Sequence, residues 1–95
     1  MADYERNTIY GITRVFELAD EVLTERAGLQ RGRQTHHSVT YSGGEGTVAL
    51  EAHRHGPFTT VTVRTNQLRT SKADIVVRHL LNQLPYQPGD PQREY

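Results

Sequence analysis

The chain has 95 residues, 35% of them apolar, with a negative mean hydropathy. That length sets one domain with one modest core. Eleven acidic and eleven basic residues cancel, so no global field draws the protein to nucleic acid or to an anionic membrane. The absence of cysteine excludes a disulfide framework, a thiolate zinc site and a cysteine nucleophile.

Residues 1–6 are polar and acidic, without the apolar core of a secretory signal, and no apolar run is long enough to span a bilayer. The expectation is a soluble cytoplasmic protein with no membrane partner. Asn7 or Thr8 can cap a helix reaching to about Ala27. Ile9, Ile12, Val15, Phe16, Ala19, Val22, Leu23 and Ala27 recur at helical spacing and form one broad stripe, with Leu18 at its edge. Glu17, Asp20, Glu21 and Glu25 fall on the other side and read as a solvated face. Gly28 stands where a left-handed cap belongs, and Leu29 can fold back on the last turn.

Residues 30–35 read as a polar, basic connector. From His36 the period changes to two. His37, Val39 and Tyr41 alternate with His36, Ser38 and Thr40; then Gly43-Gly44-Glu45-Gly46 marks a turn. Val48, Leu50 and Ala52 alternate with Thr47, Ala49, Glu51 and His53. A two-residue turn at His55-Gly56 leads to Thr59, Val61 and Val63, alternating with Phe58, Thr60, Thr62 and Arg64. Together the turns set Tyr41 opposite Val48, Val39 opposite Leu50, Leu50 opposite Val61 and Val48 opposite Val63. All these apolar side chains then share one face, and a slip of one residue in either hairpin would break the agreement.

Thr70 or Ser71 starts a last helix, with Asp74 suited to its positive end. Ala73, Val76, Val77, Leu80 and Leu84 form its inner stripe with Leu81 beside it, His79 lies off that stripe, and Pro85 stops the helix. The predicted fold is α+β: an α-β-β-β-α order with a three-stranded antiparallel meander, strand order 1-2-3, and both helices on one face. Residues 1–85 make the domain. Residues 86–95, with two prolines, make an extended or disordered tail.

Function is less legible than fold. The polar sheet face, the free strand edges and the thin core point to a small non-enzymatic protein-interaction module, a homodimer through a sheet edge or that polar face. Phe58 and Ile75 are the candidate interface residues. A second reading is nucleic-acid binding. Residues 28–72 hold six bases against two acids, and Arg31, Arg33, Arg54, Arg69 and Lys72 are the candidate contacts. A third reading is a metal- or ligand-binding site. The expected register sets His36 opposite His53 with Glu51 diagonal to them, a possible zinc set or pH-sensitive latch. No GxSxG, HExxH or phosphate-cradling glycine loop is present, so neither catalysis nor a cofactor is implied.

The α-β-β-β-α order over residues 8–84, with Ser71-Lys72-Ala73-Asp74 at the start of the last helix, resembles the double-stranded RNA-binding domain. The resemblance implies two helices on one face of a three-stranded sheet and duplex RNA as partner.

Overall fold

The computed structural model describes residues 2–67 and 71–85. Seven elements follow in order: β1 (Ala2–Thr8), α1 (Ile12–Ala27), β2 (Gln30–Gln34), β3 (Ser38–Gly43), β4 (Gly46–His55), β5 (Phe58–Thr65) and α2 (Lys72–Gln83). The strands form one antiparallel sheet in the order β1-β5-β4-β3-β2. The fold is α+β as predicted, but the sheet has five strands rather than three. The expected meander is its central part, β3-β4-β5. The order also departs from the α-β-β-β-α of the RNA-binding resemblance, because one strand precedes the first helix and another follows it.

Both missed strands have physical disguises. β1 turns Tyr4, Arg6 and Thr8 toward the core. An arginine and a threonine on the inner side hide a period of two that apolar residues would have shown. Asn7 and Thr8 therefore do not cap a helix. Asn7 accepts a 2.8 Å bond from the Thr60 hydroxyl, and buried Thr8 donates through its hydroxyl to the Pro85 carbonyl at 2.7 Å. The helix begins only after Gly11, which leaves Ile9 45% exposed rather than on the inner stripe. β2, Gln-Arg-Gly-Arg-Gln, is exposed at every position. With no apolar residue to bury, it is a strand only because β3 offers it a ladder.

The meander keeps much of the expected register. Tyr41 pairs with Val48 and Val39 with Leu50. The β4–β5 hairpin differs by two residues: Leu50 faces Val63 and Ala52 faces Val61, because the turn is Gly56-Pro57. Pro57 has no N–H to give a ladder, so it belongs in the turn and not opposite Arg54. A shift of two preserves the face of every side chain. Val39, Tyr41, Val48, Leu50, Val61 and Val63 are accordingly all buried beneath the helices.

The helix ends behave as their residues dictate. Gly28 caps α1 in the left-handed region at φ 66°, and buried Leu29 donates its N–H back to the Leu23 carbonyl at 3.2 Å. Ser71 caps α2 by accepting from the Asp74 N–H at 3.2 Å. The stripe of Ala73, Val76, Val77, Leu80, Leu81 and Leu84 is buried. Asp74 does more than suit the helix end: its carboxylate is fully buried, accepting from Tyr4 on β1 and Thr65 on β5 and pairing with Arg78 at 3.0 Å.

The chain thus begins at one sheet edge, crosses the inner face as α1 and returns by the meander to its starting strand. The outer face carries no layer among the described residues. No described helix is long and apolar enough to cross a membrane. The expected tail, 86–95, lies outside the described residues.

Candidate functional site

A lateral cleft of about 480 Å³ opens between α1 and the β2–β3 hairpin. Ile12, Phe16 and Val39 supply its apolar surface. Thr13, Glu17 and Asp20 come from the same side of α1, and Arg31, Gln34, Thr35 and His36 from the hairpin. The volume falls within the range of sites that take small molecules or single side chains.

A polar triad closes one end. Arg31 and Tyr41 are cross-strand partners, so both side chains point toward α1. The Tyr41 hydroxyl donates to Asp20 Oδ1 at 3.4 Å, and Arg31 Nη1 lies 3.8 Å from the same oxygen. Burial pushes the phenol well above its usual range, the Asp20 charge and hydrogen bond push it the same way, and Arg31 opposes them. Tyr41 is therefore a fixed donor that orients Asp20, not a proton carrier. Asp20, read from sequence as part of a solvated face, is a wall of the cleft. The periodicity of α1 cannot show this, because the wall exists only once β2 pairs with β3.

The histidines are placed differently from the expected register. A tight turn reverses the chain at 35–38: Thr35 N–H donates to the Ser38 carbonyl at 2.7 Å, and the ladder starts at Ser38. His36 is pulled off the ladder to the cleft. It is His37 that stacks on His53, with centroids 5.1 Å apart, held there by the Ala52 N–H donating to the His37 carbonyl at 2.9 Å. His36 meets His37 edge-on at 4.9 Å. Glu51 sits between Ser38 and Thr62 in the sheet. The set His36, His53 and Glu51 is not assembled, and no group of three or more His, Asp or Glu among the described residues could hold a metal ion. His79 is half-buried rather than solvated.

The basic candidates do not converge. Arg31 faces Asp20. Arg33 is exposed on β2, where its N–H donates to the Thr40 hydroxyl at 3.2 Å. Arg54 is exposed, and its guanidinium donates to Thr59 Oγ1 at 3.0 Å and the Tyr10 carbonyl at 3.3 Å. Lys72 is exposed at the start of α2, and Arg69 lies outside the described residues. Phe58 and Ile75 do not share a surface either. Phe58 is half-buried on the outer sheet face, 5.7 Å from His55, whereas Ile75 is 51% exposed on the far side of α2.

No protein-family model matches the chain, and no curated protein matches it.

Proposed function

We propose that this chain is a non-enzymatic interaction module that receives part of a partner in the cleft between α1 and the β2–β3 hairpin. One observation carries the reading: an open recess of about 480 Å³ places the half-buried Ile12 and Phe16 beside the Asp20–Arg31–Tyr41 end. The partner enters the recess and does not extend the sheet. Both edges discourage strand addition: β1 buries the inward-pointing charge of Arg6, and β2 carries Arg31, Gly32, Arg33 and a register break between Arg31 and Gln34. The groups in the recess suit binding, since the buried phenol stays protonated and its neighbours hold Asp20 in place.

Amide chemical shifts mapped during a screen of neutral apolar fragments test this. Shifts clustered on Phe16, Asp20, Arg31, Val39 and Tyr41 support the reading. Hits confined to the outer sheet face would remove it.

The bare outer face favours a second, separate reading, weak self-association. Thr40, Thr47, Ala49, Thr60 and Thr62 lie on it with Phe58, interspersed with Glu51, His53 and Arg64. Five strands at their usual spacing offer roughly 500 Å² of face, less than the about 800 Å² per partner of a standard interface. The dimer is accordingly transient. Sedimentation across a concentration series tests it, and a constant monomer mass up to millimolar protein rejects it.

A further inference from the structure

We infer that the cleft accepts a lysine side chain of the partner, its ammonium seated between Glu17 and Asp20 and its aliphatic stem against Ile12 and Phe16. The inference rests on the proposal that the cleft is the docking site, and it adds the chemistry of the occupant.

Charge selects a cation. Glu17 and Asp20 line the cleft against the single guanidinium of Arg31. Geometry selects a compact one. Residues 17 and 20 are three apart on α1, so their side chains are neighbours about one turn apart and can straddle one ammonium. Asp20 uses the same oxygen, Oδ1, for both Tyr41 and Arg31, which leaves Oδ2 for a newcomer. Tyr41, only 1% exposed, fixes that carboxylate before anything binds. The Phe16 ring lines the same recess.

The surroundings exclude the nearest alternatives. A metal ion needs more ligands than these two carboxylates, and no larger set is gathered among the described residues. A planar guanidinium would compete with Arg31 for the same Oδ1 edge, whereas an ammonium can approach Oδ2. An inorganic cation would leave the half-buried Ile12 and Phe16 without use; a four-carbon stem covers them. A lysine within a polypeptide fits the open side of the cleft, along fully exposed β2, where a backbone can lie against Gln34 and Thr35.

The test is an amide-shift titration with three capped pentapeptides, glycine throughout except for a central lysine, norleucine or glutamate, and with n-butylammonium as a fourth probe. The lysine peptide is expected to shift Phe16, Asp20, Arg31 and Tyr41. The norleucine peptide, which loses the ammonium and both of its carboxylate contacts, should bind at least about tenfold more weakly, and the glutamate peptide should leave these amides unmoved. Glu17→Gln and Asp20→Asn, both near the surface and conservative, should each weaken the lysine peptide by a similar factor with the rest of the spectrum preserved. Equal binding of lysine and norleucine peptides overturns the cation and leaves the cleft standing, as does preference for glutamate. Tighter binding of n-butylammonium than of the lysine peptide makes the occupant a free amine and overturns the partner side chain. If neither these probes nor neutral fragments reach the cleft, the docking site itself is rejected together with its occupant.

Discussion

Tyr4 on β1 and Asp74 on α2 lie seventy residues apart in sequence and share a buried 2.7 Å hydrogen bond. The phenol donates to Oδ1 of a carboxylate with no exposed surface, and Thr65 donates to its other oxygen at 3.3 Å. Arg78, one turn along α2, supplies the countercharge at 3.0 Å. A buried carboxylate is tolerable only with such company. This cluster ties the first strand to the last helix and explains why β1 stays on the sheet with little apolar side chain of its own.

Substitutions there should grade in severity. Tyr4→Phe keeps the packing and removes one donor, at a cost of about 1–2 kcal/mol. Asp74→Ala removes the carboxylate that pairs with Arg78 and accepts from Tyr4 and Thr65, at a cost of about 3–5 kcal/mol. Against the about 5–15 kcal/mol of a typical domain, the second change should leave the protein at the margin of folding. Urea unfolding of both variants measures the difference; equal midpoints would show that the ion pair carries nothing.

Gly46 and Gly28 provide a paired test of backbone against space. Both have positive φ, 117° and 66°. An added Cβ at Gly28 meets nothing within 4 Å, but at Gly46 it would stand 2.6 Å from Gln67 Cγ and 2.7 Å from Asn66 Oδ1. That same Asn66 oxygen accepts the Thr47 N–H at 2.9 Å. Gly28→Ala should therefore cost only conformational strain, about 1 kcal/mol. Gly46→Ala should cost more, about 2–3 kcal/mol, because the Asn66 contact must also give way. Thermal melts of the two variants rank them.

Tyr41 gives the stability a pH dependence at the alkaline end. Its folded-state titration is raised above that of the unfolded chain, chiefly by burial and then by Asp20. The folded protein holds this proton more tightly. The stabilisation is therefore complete below the unfolded value of about 10 and falls away as pH rises beyond it. Tyr41→Phe should show a shallower loss of stability above pH 10 than the parent, with little change at neutral pH. Parallel decline in the two proteins would show that the phenol is not protected as its surroundings imply.

The parts of the fold legible in the sequence are those whose own residues alternate cleanly. Val39 and Tyr41, Val48 and Leu50, and Val61 and Val63 mark the inner face without help from any neighbour, and Gly28 and Ser71 mark helix ends by local chemistry. The illegible parts depend on distant partners. Arg6 lies on an inner face because β1 pairs with β5. Gln30–Gln34 is a strand because β3 is beside it. The cleft inherits both difficulties: Asp20 looks solvated on a helical wheel, and it gains Tyr41 and Arg31 as neighbours only through the hairpin that β2 closes. His36 shows the reverse failure, since its alternation places it on the ladder and the Thr35–Ser38 turn removes it.

The claim that the α1–hairpin cleft is where a partner is received can be tested by filling it. Thr13 lines the recess from an exposed position on α1, so Thr13→Trp should occupy the space without disturbing the core. Neutral fragments titrated into both proteins should shift Phe16, Asp20, Arg31, Val39 and Tyr41 in the parent and leave them unmoved in the variant, whose remaining amide spectrum stays folded. The same shifts in both proteins would mean that the fragments bind elsewhere, and that this cleft is not the docking site.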